Sequence, residues 1–340
     1  MRVMSAYFEI TNLCNLNCVT CYNRSGLNHA RKELSAEQIE QIIHRLDTDF
    51  DCHSFSFAGG EPLLHSELDT LLSYVQAHPE YQFSFVTNGT VHKESFFAAV
   101  EANPSQFRVQ VSLDGSTEEI NALTRGKGSF GQTLRFIQRL TAASFRPVIK
   151  MVISQNNLND LEPFYHLAVS LGCTPSFDFV ACNGNASDSW DTITPTPRQK
   201  IQVMKLLDRL NHENPAYATE LPRSGSTCTL SDSSQPVAGL IKTDGPFFPC
   251  QLLYEDIHAC GNILTDSTQY IESKISMLQQ LAATRLTQDY NCKRCPLQHG
   301  CARGCFANAY YLTGDSLGDD GNCLTRKLEF FDFDLKQLKQ

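Results

Sequence analysis

Two kinds of hydrophobic patterning alternate along the first 180 residues. Short runs rich in aromatic and β-branched residues fall at positions 7–10, 54–58, 83–86, 107–113, 148–153 and 176–180 and read as strands. The fourth carries Phe107, Val109, Val111 and Leu113 on one side, a period of two. Between these runs apolar residues recur at helical spacing. Ile39, Ile42, Ile43 and Leu46 follow a Ser35/Gln38 capping box, and the same spacing returns at Leu68, Leu71, Leu72 and Val75. Leu134, Ile137 and Leu140 form a shorter version, and Leu161, Phe164, Ala168 and Leu171 another. Six strands, each followed by a helix or crossover, imply a parallel sheet, since βαβ connections are right-handed. The expected fold class is α/β, a partial (β/α)6 barrel of parallel strands whose chemistry gathers at the C-terminal strand ends.

Beyond Val180 the pattern changes. Positions 182–199 are polar, Ile201, Met204, Leu207 and Leu210 predict one more helix, and positions 214–236 are loop-like in their Pro, Ser and Thr content. A helical stretch near Ile275, Leu278 and Leu281 and another near the C-terminus follow, set among cysteines. The expected organisation is a core over residues 1–181, a connecting segment over 182–225 and a C-terminal cysteine-rich module over 226–340.

Composition narrows the function classes. The 340 residues are 41% hydrophobic with 21 Phe, enough for a sizeable core, and the formal charge of −9 argues against a nucleic-acid or anionic-membrane partner. No run approaches the ~18 apolar residues of a membrane span, and the first residues lack a secretory signal, so a cytoplasmic protein is expected. Fourteen cysteines stand out in such a chain, because thiols in a reducing compartment read first as metal ligands or redox groups. Ten fall into motif-bound sets; Cys52, Cys173, Cys182 and Cys260 are isolated and read as small core residues.

Cys14, Cys18 and Cys21 form C-x3-C-x2-C directly after the first strand. A structural zinc site wants four ligands and none is adjacent, though the set would serve as a zinc half-site. Three thiolates on a four-iron cube would leave one iron open to a substrate or cofactor. The following strand ends carry Gly59-Gly60-Glu61-Pro62, then Thr87-Asn88-Gly89, then Ser112-Leu113-Asp114-Gly115, with Arg125 beyond. Paired glycines permit close backbone approach, a carboxylate takes an ammonium group or ribose hydroxyls, and an arginine pairs a carboxylate. Gly-Gly, Asn-Gly and Asp-Gly are also ordinary turn dipeptides, but four such features at successive strand ends point to one site.

On these residues the chain resembles the radical S-adenosylmethionine (SAM) superfamily from Tyr7 to about Val180. The resemblance implies that Cys14, Cys18 and Cys21 hold a [4Fe–4S] cluster whose open iron chelates SAM, and that Tyr22 flanks the adenine. It implies that Gly59, Gly60, Glu61 and Pro62 receive the methionine amino group, that Ser112, Asp114 and Arg125 contact the ribose and carboxylate, and that Asn88 lines the site. The family reaction passes an electron, supplied by a donor such as flavodoxin or ferredoxin, to the sulfonium and releases a hydrogen-abstracting 5′-deoxyadenosyl radical.

The C-terminal cysteines read Cys228, then Gly245-x4-Cys250, then Cys292-x2-Cys295-x5-Cys301-x3-Cys305, then Cys323. Alone, C-x2-C-x5-C-x3-C fits a zinc ribbon. Behind this core the order is similar to the SPASM extension, as are Gly261-Asn262-Ile263 and positions 310–314. That resemblance implies two auxiliary iron–sulfur clusters, [4Fe–4S] in type. Cys292, Cys295, Cys301 and Cys323 would hold one, and Cys228, Cys250 and Cys305 the other, whose fourth ligand is Cys182, Cys260, another group or an open position. Auxiliary clusters suit oxidative chemistry, because they take the electron left when a substrate radical closes a bond.

Relatives of this architecture mostly modify ribosomally made peptides or protein side chains, and a smaller branch treats tetrapyrroles and other metabolites. The expected activity is therefore oxidative modification of a peptide or protein substrate, with a small-molecule decarboxylase or dehydrogenase as the alternative. Gln251 stands where anaerobic sulfatase maturases carry an Asp base, which disfavours formylglycine formation. With the core starting inside the first ten residues, a peptide substrate would need a separate leader-recognition protein or an edge strand. His65, His92, Tyr254, Glu255 and Asp256 are candidate bases by neighbourhood only.

Overall fold

The computed structural model describes residues 2–27, 30–222, 228–231, 234–288, 290–297, 301 and 303–334. All six expected strands are present: β1 (Val3–Thr11), β2 (Ser54–Gly59), β3 (Gln82–Thr87), β4 (Phe107–Ser112), β5 (Val148–Ile153) and β6 (Thr174–Phe179). They pair in parallel in simple sequential order, each beside the one before. Every strand therefore ends at the same edge of the sheet, where chemistry collects in such folds.

Helices α1 (Ala36–Phe50), α2 (Leu68–Ala77), α3 (Glu94–Ala102), α4 (Glu118–Arg125), α5 (Ser129–Ala142) and α6 (Leu161–Ser170) make the crossovers. The Ser35 hydroxyl accepts from the Gln38 amide while the Gln38 side chain accepts from the Ser35 amide, the reciprocal cap expected at the start of α1. Ile39, Ile42, Ile43 and Leu46 all face the core. Under the helices the strands interlock by aromatic rings: Phe8 meets Phe57 at 5.9 Å between centroids and Phe57 meets Phe85 at 5.2 Å, both edge to face. Two helices, not one, separate β4 from β5. The first, α4, places Arg125 at its C-terminal end.

The chain continues through α7 (Trp190–Ile193) and α8 (Pro197–Glu213), then returns to the same sheet. β7 (Val237–Ile241) pairs in parallel with β1, and β8 (Phe247–Phe248) pairs antiparallel with β7. The sequence pattern did not predict this extension. α9 (Thr268–Gln288), α10 (Tyr290–Lys293), α11 (Phe306–Thr313) and α12 (Cys323–Glu329) complete the described C-terminal part. Leu253, Ile263, Ile271, Ile275 and Phe306 belong to the same buried cluster as Phe8 and Leu46, so one continuous core joins both ends of the chain. No helix among the described residues is long and apolar enough to cross a membrane.

Candidate functional site

The loop after β1 carries the first three cysteines and is clamped from three directions. Gly60 and Glu61 at the end of β2 donate backbone hydrogen bonds to the Thr11 and Leu13 carbonyls (2.8 and 2.7 Å). The Val19 amide donates to Thr124 at the end of α4 (2.9 Å), and the Asn185 amide donates to the Cys21 carbonyl (2.9 Å). The paired glycines serve this docking directly. A Cβ on Gly60 would lie 1.9 Å from the Leu13 carbonyl oxygen, and one on Gly59, whose φ is +117°, would lie 2.3 Å from that of Thr11. Cys14, Cys18 and Cys21 then line one wall of a cavity of about 290 Å³ at the C-terminal strand ends. A shallower concavity of about 740 Å³ at the opposite end of the sheet, beside Met4, His53 and Tyr81, contains no cysteine.

The same cavity receives Tyr22, Gly59, Gly60, Asn88, Ser112 and Arg125. Glu61, Pro62 and Asp114 do not line it. Glu61 is buried, and its carboxylate accepts from the Thr87 hydroxyl (2.7 Å) and from the Leu63 and Asn88 amides (3.1 and 2.8 Å). It ties the end of β2 to the end of β3, leaving the backbone of Gly59 and Gly60 as the exposed part of the motif. Asn88 donates to Asn15 (3.0 Å) and approaches Cys14 Sγ at 3.8 Å, bracing the cysteine loop from the next strand. Asp114 is fully buried. One of its oxygens accepts from the Val152 amide (2.8 Å), and the other lies 2.8 Å from Arg125 Nε. Asp114 thereby aims Arg125, whose Nη1 is 3.9 Å from Cys18 Sγ.

Burial sets the charges here. It pushes the Cys14 thiol up to about 12, aided by Glu61 and the neighbouring cysteines, and the Cys18 thiol to about 11 against the pull of Arg125. These thiols hold their protons at neutral pH, so a cationic centre entering among them must displace protons, as thiolate ligation requires. The three side chains on one wall, the open space before them and the guanidinium beside them fit an anionic thiolate-bound cluster with a small-molecule partner.

Pattern reading missed several residues of this site. Glu9, on β1 and buried, accepts from the hydroxyls of Tyr22 and Tyr254 (3.0 Å each) and from Asn23 (3.1 Å). Burial raises its pKa above that of an ordinary carboxylate. A lone acid inside an otherwise apolar strand was the available signal. Tyr7, Gln110, Lys150 and Asp178 form a polar stretch of the cavity lining, with Lys150 and Asp178 in ion-pair contact. Gln251 and Leu252, from the C-terminal part, close it. Of the candidate bases, only Tyr254 joins this network. His65 is buried with Nε2 on the Leu34 carbonyl (2.8 Å), His92 is exposed on the Gln132 carbonyl (3.1 Å), and Glu255 and Asp256 are exposed.

The C-terminal cysteines fall into groups. Burial raises Cys250 to about 12, aided by the charges of Cys305 and Cys228, and raises Cys305 to about 11, aided by those of Cys228 and Asp320. Cys301 and Cys323 both act on Arg326, and the Cys295 amide donates to the Cys292 carbonyl (3.1 Å). Neither Cys182 nor Cys260 is among the charges acting on Cys250 or Cys305. Cys260 is a core residue with its thiol toward the His258 carbonyl at 3.8 Å. Among the described residues no three His, Cys, Asp or Glu side chains converge closely enough to hold a single metal ion.

Comparison with known proteins gives the family. The family model described as "Radical SAM superfamily" matches residues 8–168. Mycofactocin maturase MftC of Mycolicibacterium smegmatis is 32% identical over 326 residues, spanning 93% of this chain and 81% of that protein. The AdoMet-dependent heme synthase of Methanosarcina barkeri is 25% identical, covering 94% of this chain and 95% of its own length. Among solved structures, anSMEcpe with bound AdoMet and a Cp18Cys peptide superposes with a TM-score of 0.77 at 20% identity, over 98% of this chain and 97% of that one, which speaks to the fold.

Proposed function

The chain belongs to the radical SAM superfamily, in the branch with a SPASM-type C-terminal extension, and on that premise we propose that it oxidatively modifies a side chain of a ribosomally made peptide or protein, forming a crosslink or related product. The observation that carries this reading is the cavity itself, whose walls join the three-cysteine loop, a polar Lys150/Asp178 stretch and Gln251 from the C-terminal part. The similarity to a maturase along most of both chains supports it.

Cys14, Cys18 and Cys21 would hold the [4Fe–4S] cluster, with Gly59, Gly60, Ser112, Arg125 and Tyr22 around SAM. When bound, this pair supplies one-electron cleavage of the sulfonium and hydrogen-atom abstraction. The protein's part is to orient and to exclude water. Glu61 and Asn88 fix the cysteine loop, Asp114 fixes Arg125, and the Glu9 network seals the loop against the C-terminal part. Cys228, Cys250 and Cys305 would hold one auxiliary cluster, and Cys292, Cys295, Cys301 and Cys323 the second, as electron acceptors. Gln251, a neutral amide, offers no base where sulfatase maturases place one. A cytoplasmic setting, a flavodoxin- or ferredoxin-type donor and a separate leader-recognition protein complete the reading.

The near full-length similarity to a heme synthase supports a second reading, oxidation or decarboxylation of a tetrapyrrole-like metabolite. Anaerobic co-expression with a small peptide encoded beside the gene, followed by intact-mass analysis, separates the two. Loss of hydrogens in pairs from the peptide is the expected result. An unmodified peptide alongside active SAM cleavage favours the metabolite, and zinc in place of iron and sulfide overturns both.

A further inference from the structure

Each of the three sets of motif cysteines has a buried arginine beside one or more of its members. Arg125 accompanies Cys18, Arg326 accompanies Cys301 and Cys323, and Arg285 accompanies Cys228 and Cys305. The first two are neutralised by aspartates: Arg125 contacts Asp114 at 2.8 Å, and Arg326 grips both oxygens of Asp320 at 2.7 and 2.8 Å.

Arg285 is different. Its side chain is completely buried near the end of α9, with one flank toward the Phe306 ring at 6.0 Å. Among the described residues its terminal nitrogens donate only to backbone carbonyls, those of Gly304 (3.1 Å), Arg303 (3.0 Å) and Gly318 (3.1 Å), and its Nε has no hydrogen-bond partner there. No carboxylate among the described residues forms an ion pair with it. The one described acid whose charge acts on it, Asp320, is already held by Arg326 and by the Cys305 amide (2.9 Å). Arg303 adds a second positive charge nearby. A buried cation without a counter-ion costs several kcal/mol, and among the described residues the remaining sources of negative charge acting on it are the sulfurs of Cys228 and Cys305.

We infer that Arg285 is the counter-charge for the iron–sulfur cluster held by Cys228, Cys250 and Cys305, and that its guanidinium makes that cluster a better electron acceptor. The physical reason is simple: an electron added to a thiolate-ligated cluster increases its negative charge, and a fixed cation in a low-dielectric surrounding favours the reduced form. The inference rests on the auxiliary-cluster reading above.

The test uses full-length protein reconstituted anaerobically, as wild type, Arg285→Lys, Arg285→Gln and Arg285→Met. Iron and sulfide are counted, and each cluster is followed by electron paramagnetic resonance during redox titration. Arg285→Gln and Arg285→Met are expected to move one auxiliary signal to lower potential, by about tenfold in the reduced-to-oxidised ratio or about 59 mV for one electron. The core signal stays in place. Arg285→Lys keeps the charge but fewer hydrogen bonds, and is expected within about threefold of wild type. A shift in Arg285→Lys as large as in Arg285→Gln would assign the effect to hydrogen bonding and overturn the inference, even if Arg285→Met fails to fold. About four irons in wild type would overturn the auxiliary-cluster reading and the inference together. A full complement of about twelve irons with unmoved potentials would overturn the inference alone.

Discussion

Tyr22 and Tyr254 meet edge to face with ring centroids 6.0 Å apart, and both hydroxyls end on the carboxylate of Glu9. Tyr22 directly follows Cys21, and Tyr254 lies four residues after Cys250, so one buried acid on β1 pins two cysteine-bearing segments that are far apart in sequence. Lys242, over the Tyr254 ring at 3.9 Å, supplies the nearby positive charge.

Removing one donor from this arrangement should loosen the joint without touching a cysteine. Tyr254→Phe leaves the buried Glu9 carboxylate with two donors instead of three, at a cost of about 1–3 kcal/mol. A lower urea midpoint is expected, with iron content unchanged. An unchanged midpoint would show that the Tyr254 hydroxyl contributes nothing to holding the C-terminal part on the barrel.

Glu61 makes stability depend on pH in an unusual direction. Burial raises its pKa from 4.5 to about 7, against the pull of its three donors. The unfolded chain releases this proton near 4.5 while the folded chain keeps it until about 7, so across that window raising the pH favours unfolding, by up to about 3 kcal/mol from this group. Glu61→Gln cannot titrate. Its destabilisation relative to wild type should therefore be larger at pH 5 than at pH 8 in parallel urea titrations, and a pH-independent difference would contradict the shift.

The backbone of the site was legible where burial follows a simple period. β1 to β6 and α1 appear within a few residues of their patterned runs because each buries one apolar face against the same core. α4 escaped notice because the side chains it buries are Asn121, Thr124 and Arg125, while Leu123 faces solvent, so no apolar stripe marks it. β7 was hidden in a short run, Val237–Ile241, where Gly239 makes room for the Phe247 ring, and its partner is β1, more than 200 residues away. The cysteines and glycines announced the chemistry, but a motif does not reveal which of its members face the cavity. Glu61 and Asp114 turned out to act through their neighbours, and Glu9 and Lys150 entered the site through contacts that no local spacing encodes.

Gly60 offers the most direct test of the docking of the cysteine loop. A Cβ there meets the Leu13 carbonyl oxygen at 1.9 Å, its carbon at 2.3 Å and the Cys14 amide at 3.0 Å, all backbone atoms that cannot swing aside. Gly60→Ala should displace the loop and lose about four irons per chain on reconstitution, with the auxiliary signals retained. Full iron loading would show that the loop accommodates the methyl group by shifting as a body.

Lys150 and Asp178 distinguish recognition from catalysis within the same cavity. Lys150 lies on β5 and Asp178 on the neighbouring β6, where Asp178 pairs in register with Val152, two residues beyond the lysine. Their ion pair sits on the wall reached by solvent: the Lys150 side chain is 23% exposed and that of Asp178 60%. A pair this wet contributes about 0–1 kcal/mol to stability, less in salt. Neither residue touches the cysteine loop, so Lys150→Met and Asp178→Asn should melt close to wild type, bind full iron and cleave SAM at the wild-type rate. What each loses is a charge facing the space a substrate must fill. Once the substrate is in hand, the expected effect is a roughly tenfold rise in KM, about 1.4 kcal/mol of binding, with kcat little changed. A fall in kcat at unchanged KM would instead make the pair part of the chemistry, with Asp178 then the acid whose charge, after burial, helps the Tyr7 hydroxyl retain its proton.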